Sequence, residues 1–169
     1  MLKIGGAILV IVGCSGFGIL LSYHTKNETH ALKHLISALD FIDCELSFRL
    51  TPLSQAFLRA SEISVGCIQS FLISAAWEME HCSKNDAAHC ISTALDNCNN
   101  IPPVTRTRIH CLAQSMGIFD LEGQLRCIRK ENAENNRILR EIMCNQKERL
   151  KCYNTLCCCT GVALVILFL

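Results

Sequence analysis

The sequence predicts an all-α protein: an antiparallel bundle of five to six helices between an N-terminal and a C-terminal transmembrane helix. Three observations carry this. Apolar residues recur at helical spacing throughout the middle of the chain, no stretch alternates with the two-residue period of a strand, and both ends are apolar and free of charge. The organisation that follows is an N-terminal span at 1–23, a cytoplasmic helical domain at 24–153 and a C-terminal span at 154–169.

The chain has 169 residues, half of them apolar and 18% charged. Residues 4–21 and 156–169 contain no charged side chain, while all fifteen acidic residues and every basic residue except Lys3 fall between Lys26 and Lys151. At about 1.5 Å per residue, 4–21 covers about 27 Å, close to the roughly 30 Å hydrocarbon core. Its glycines suit close helix approach or simple tolerance in lipid, and the second reading is preferred. A cleaved signal peptide fits poorly, because Ile19-Leu20-Leu21 prolong the apolar run past the small residues. Ile11-Val12-Gly13-Cys14 resembles a lipobox, but processing there would leave a second apolar stretch instead of a polar tether. A retained span is the expectation.

The C-terminal run covers only about 21 Å, a length common for buried core helices. It sits at the chain end, directly after Lys147-Glu148-Arg149-Leu150-Lys151, and snorkelling basic side chains or bilayer thinning absorb the shortfall. Cys157-Cys158-Cys159 read as small apolar residues. Lys26, Lys33, Arg137, Arg140, Lys147, Arg149 and Lys151 flank the spans on one side and only Lys3 on the other, which places the middle in the cytoplasm.

Within the middle, Leu32, Leu35, Ile36, Leu39, Ile42 and Leu46 form the stripe of a first helix that stops before Thr51-Pro52. Thr51 is expected to cap the next helix with Pro52 at its first position, and Leu53, Ala56, Phe57 and Ala60 make its apolar face. A third helix is expected over 65–80, with Ile68, Phe71, Leu72, Ala75 and Met79 inward. Ser83-Lys84-Asn85-Asp86 breaks it, and Ala87, Ile91, Ala94 and Leu95 mark a short fourth. After the polar loop at 97–103 a fifth helix, 105–116, ends at Gly117, which suits the left-handed C-terminal position. Asp120 caps the last helix, 121 to about 153, with Leu121, Leu125 and Ile128 inward. The stretch 129–137 is almost wholly polar, and pairs such as Glu134/Arg137 support an exposed helix there.

Thirteen cysteines would suggest disulfides in a small secreted protein. Here Cys44, Cys67, Cys90, Cys98, Cys111, Cys127 and Cys144 sit singly in helical segments, as small buried hydrophobes in a reducing compartment do. A formal net charge of +1 argues against a dedicated nucleic-acid binder. The charge is polarised: 26–100 holds five basic and nine acidic residues, and 126–151 holds eight basic and four acidic. Such a dipole suits self-association or a charged partner, or two solvated faces.

No catalytic, metal or cofactor site emerges. His81-Cys82, His89-Cys90 and His110-Cys111 are adjacent pairs, and adjacent side chains on a helix point about 100° apart, which suits chelation poorly. His30 and His34 share a face but lack a third ligand. Asp40 and Asp43, beside Glu45, read as a solvated or partner-facing surface. The chain reads as a non-enzyme; a thiol- or metal-dependent sensor or enzyme, or a lipoprotein, is the alternative.

The order Met1-Leu2-Lys3-Ile4-Gly5, Leu35-x-x-Ala38-Leu39, Glu45-Leu46-Ser47-Phe48-x-Leu50-Thr51-Pro52-Leu53, then Leu112-x-x-x-Met116-Gly117-x-x-Asp120-x-x-x-Gln124 and an apolar end resembles the stage III sporulation protein AB family. Phe48-Arg49-Leu50 before Thr51-Pro52, Met116 and the many cysteines depart from its pattern. The resemblance implies a helical domain similar to the cytoplasmic domains of the type II secretion and type IV pilus platform protein. It also implies a place in the channel complex joining mother cell and forespore, with membrane lipid, a secretion-type ATPase (stage III sporulation protein AA) and other channel subunits as partners. The motif residues Glu45, Thr51, Pro52, Leu53, Gly117, Asp120 and Gln124 are its candidate contacts. Thr51, Pro52, Gly117 and Asp120 also have local reasons as helix starts and stops, so Glu45 and Gln124 are the better candidates for a contact or an internal polar bridge.

Overall fold

The computed structural model describes the backbone of residues 2–81, 86–116 and 121–168, and the side chains of 26–81, 86–116 and 121–145. Among the described residues there are six helices and no strand: α1 (Leu2–Arg49), α2 (Leu53–Ile63), α3 (Cys67–His81), α4 (Ala87–Asn97), α5 (Pro103–Ser115) and α6 (Leu121–Phe168). The chain divides into two compact units, one of Glu28–Leu139 and one of Met1–Asn27 with Arg140–Leu169. Among the described residues no helix is long and apolar enough to cross a membrane. The side chains of both expected spans, 1–23 and 154–169, lie outside the described residues.

The core of the Glu28–Leu139 unit follows the helical period. Leu32, Leu35, Ile36, Leu39, Ile42 and Leu46 are all buried, as are Ala56, Phe57 and Ala60 of α2 and Ile68, Phe71, Leu72 and Ala75 of α3. Ile91, Ala94 and Leu95 of α4 and Ile109, Leu112 and Ala113 of α5 complete it. Helices α2 to α5 pack each against the next. On the other side α1 runs antiparallel to α6: Arg129 reaches back to Asp43 and Ser47, and Asn132 to Asp40.

The helix starts differ from the sequence reading in instructive ways. Pro52 is the N-cap residue of α2 and makes no side-chain cap; Thr51 stands outside the helix, because its hydroxyl is used by Glu45. Helix α3 begins at Cys67, two residues later than expected, since Gly66 takes φ +65° in the turn. Helix α5 begins two residues early, with Pro103 at its first position, where no amide hydrogen is needed. One of its free N–H groups is met from a distance: the Glu28 carboxylate accepts from Val104 N at 3.2 Å, an acidic side chain placed at a helix N-terminus. Arg106 closes the preceding loop by donating to the carbonyls of Leu95 and Cys98 at the end of α4. Asp86 caps α4, accepting from Ala88 N at 3.1 Å.

Three expectations about burial are corrected. Leu121 is exposed, and Leu125, Met79 and Ala87 are only half-buried. Of the seven described cysteines only Cys90 is buried; Cys44 and Cys144 are exposed, and no disulfide joins the seven. Cys44 falls between Ile42 and Leu46 in sequence but off their shared face. The polar stretch of α6 is not an exposed strip: Glu131, Asn132 and Asn135 are buried while Arg129, Lys130, Ala133 and Arg137 stay outside.

Candidate functional site

The family motif at 45–53 forms the corner where α1 turns into α2. Glu45 ends the buried stripe of α1 and is itself only 4% exposed, so its carboxylate needs partners to remain charged. It has three. Arg49 Nη1 donates to Oε1 at 2.9 Å, Arg59 Nη1 donates to Oε2 at 3.0 Å, and Thr51 Oγ1 donates to Oε2 at 3.1 Å. The Glu45 carbonyl also accepts from Thr51 N at 3.4 Å. One carboxylate therefore pins the last turn of α1, the linker and the second turn of α2.

The same corner carries a strained residue. Leu50 has φ +51°, a left-handed conformation that costs a non-glycine residue about 1–2 kcal/mol. It is held there because Arg49 before it and Thr51 after it are both tied to Glu45. Phe48 and Leu50 point outward, 85% and 71% exposed, the two most exposed large apolar residues described. Leu53 is half-buried and Pro52 exposed.

Of the remaining motif residues, Gly117 and Asp120 lie outside the described residues. Gln124 is half-buried on α6. The acidic pair of α1 is tied to α6 at the surface: Asp40, itself exposed, accepts from Asn132, and the half-buried Asp43 accepts from Arg129 Nε at 2.9 Å and also from Ser47 of its own helix at 3.5 Å. Sequence reasoning missed the matching groups on the other helices. Arg108 of α5 donates Nη2 to Glu131 and Nε to Asn135 at 2.7 Å, and both ends of the Arg108–Glu131 pair are 12% exposed. The run Glu131-Asn132-x-x-Asn135 places three polar residues on one helix face, but nothing in it names the partners that bury them.

The His-Cys pairs split as helical geometry requires. His89 is exposed and Cys90 buried; His110 is exposed and Cys111 half-buried. His81 stacks on Trp77, ring centroids 4.4 Å apart. Among the described residues no three His, Cys, Asp or Glu side chains are grouped to hold a metal ion. Burial pushes the Cys67 and Cys98 thiols above their ordinary range, the opposite of what an activated nucleophile requires.

Residues 3–169 match the sequence model of the stage III sporulation protein AB family. A solved structure described as stage III sporulation protein AB superposes with a TM-score of 0.62 at 14% identity, covering 72% of this chain and 98% of that one. At that identity the likeness is one of fold. No protein of curated function matches the sequence.

Proposed function

The chain belongs to the stage III sporulation protein AB family, and from that membership we propose that it is a membrane-anchored assembly protein of the channel complex between mother cell and forespore. In this reading the helical unit Glu28–Leu139 docks a secretion-type ATPase (stage III sporulation protein AA), the apolar ends 1–23 and 154–169 hold the chain in the membrane, and the helical unit faces the mother-cell cytoplasm. The protein works by contact and has no reaction to catalyse.

The observation that carries the reading is where the unit uses its charge and where it leaves apolar surface. Glu45, Asp43 and Glu131 are tied to arginines of other segments, which suits a rigid scaffold, whereas Phe48, Leu50, Ile73 and Trp77 are left in water. Large exposed apolar residues suit contact surface where they gather into a patch. The experiment is gene deletion with complementation, joined to recovery of the ATPase on the tagged full chain. Loss of sporulation after engulfment begins, with the ATPase co-purifying from detergent extracts, is expected. Normal sporulation of the deletion strain, with no duplicate gene present, would overturn the reading. Reporter fusions within 28–139 test the topology, with activity expected only from reporters that work in the cytoplasm.

A further inference from the structure

We propose that Cys67 and Cys98 are a redox pair: by exchange with a small-molecule disulfide, the two thiols close into a bond that ties the start of α3 to the end of α4. The inference goes beyond the assembly role and does not depend on it.

The fold brings the two residues to one end of the same helix pair. Helices α3 and α4 are consecutive, pack against each other and are separated by five residues, so they run antiparallel. The first residue of α3 therefore lies where α4 stops. Cys67 is that first residue, and Cys98 is the C-cap of α4. Hydrogen bonds fix the surroundings. At the start of α5, Arg106 Nη1 donates to the Cys98 carbonyl at 3.0 Å, and Val104 N donates to the Glu28 carboxylate at 3.2 Å. Glu28 acts electrostatically on Cys67, and Cys67 on Cys98. One cluster thus holds two thiols, an acid and a guanidinium. Both cysteines are half-buried, within reach of a small reagent.

Both also stand where the backbone can adjust. A disulfide needs Cα atoms about 4.4–6.8 Å apart and a set direction for each Cβ. Cys67 follows Gly66, which takes φ +65° and has open space around it. Cys98 is in extended backbone beyond the last turn of α4. Helix ends open at far lower cost than packed interiors.

The neighbours set the order of steps. Burial raises both thiols, and Glu28 adds to this at Cys67, whereas the Arg106 guanidinium favours the thiolate at Cys98. The Cys98 thiolate therefore attacks the small disulfide first, forming a mixed disulfide and releasing one small thiolate. Cys67 then loses its proton and attacks the Cys98 sulfur. The Cys67–Cys98 bond forms and the second small thiolate leaves. Two protein thiols are oxidised, one small disulfide is reduced to two thiols, and these take up the two protons. Raised thiols are slow both to attack and to leave, which suits a lock and not a turnover catalyst. A reducing compartment keeps the pair open, and oxidative load closes it.

The test exposes the full chain in detergent to oxidised glutathione, blocks the remaining thiols and maps linked peptides by mass spectrometry. The Cys67–Cys98 peptide is expected as the main link within the chain. It should be enriched at least about tenfold over the same chain oxidised in urea, where chain statistics alone set the pairing. In the Cys67→Ala chain glutathione should accumulate on Cys98; in the Cys98→Ala chain much less should collect on Cys67. A bond between residues 31 positions apart should raise Tm by at least about 5 °C, and dithiothreitol should reverse the shift. Recovery of both cysteines unlinked, while exposed Cys44 carries glutathione, overturns the proposal. So does a link no more frequent than in urea, or a Tm indifferent to the bond. The enrichment is read on the unaltered chain, so a variant that folds poorly does not shield the proposal.

Discussion

Glu45 and Arg59 meet at 3.0 Å across the α1–α2 corner, fourteen residues apart in sequence. The carboxylate is almost fully buried and the guanidinium nearly half exposed, so the two contribute unequally. Removing the acid leaves two arginines that solvent can still reach; removing one arginine leaves the acid with Arg49 and Thr51. Glu45→Ala is expected to destabilise by about 2–3 kcal/mol and Arg59→Ala by about 1 kcal/mol, in line with charged hydrogen bonds that are partly solvated. Thermal unfolding of the full chain in detergent, followed by circular dichroism, measures both. Equal costs would show that the carboxylate is not the hub.

Arg108 and Glu131 form the more enclosed pair, joining α5 to α6. Truncating either leaves the other charge in a site with little water, so Arg108→Ala or Glu131→Ala should each cost about 3–5 kcal/mol. The double change Arg108→Met with Glu131→Leu should cost markedly less than the sum, because no uncompensated charge remains. Denaturant unfolding of the four chains gives the coupling directly. Additive costs would argue that the two side chains do not depend on each other.

These two pairs mark the boundary of what the sequence discloses. The stripe from Leu32 to Leu46 could be read because an amphipathic helix repeats its apolar residues every three to four positions, and every member is buried. Glu131, Asn132 and Asn135 could not be read as buried, because their partners Arg108 and Asp40 come from helices distant in sequence. Polarity alone reports exposure unless the matching donor is known. Thr51 failed for the same reason: a local capping role was the simplest one available, and a buried carboxylate six residues earlier outcompeted it. Glu45 and Leu53 were singled out by family pattern, and it is the fold that shows Glu45 to be the internal bridge of the corner.

Leu50→Gly separates stability from contact. The left-handed backbone at φ +51° is open to glycine without penalty, and the leucine side chain, largely in water, contributes little packing. The substitution should stabilise the protein by about 0.5–1 kcal/mol, after allowance for the greater freedom of glycine in the unfolded chain. Phe48→Ala, at an exposed position, should change stability by less than about 0.5 kcal/mol. By contrast Phe57→Ala, in the core, should cost about 3–5 kcal/mol. A destabilising Leu50→Gly would mean that the leucine is packed and the corner is not strained.

The thiols give a prediction with a direction in pH. Burial raises the Cys67 and Cys98 thiols above the ordinary value of 9.0, while Cys44 and Cys144 are exposed. Iodoacetamide in mildly alkaline solution should therefore alkylate Cys44 and Cys144 before Cys67 and Cys98, in an order read by mass spectrometry of the digested protein. The same shift links to folding. In the unfolded chain these two thiols lose their protons near 9.0, and in the folded chain they hold them to higher pH. The folded state thus binds more protons in that window. Their contribution to stability is full below the unfolded value and declines as pH rises through it and beyond. Replacing both by Ala should flatten this alkaline decline. An unchanged profile would place the titration elsewhere in the chain.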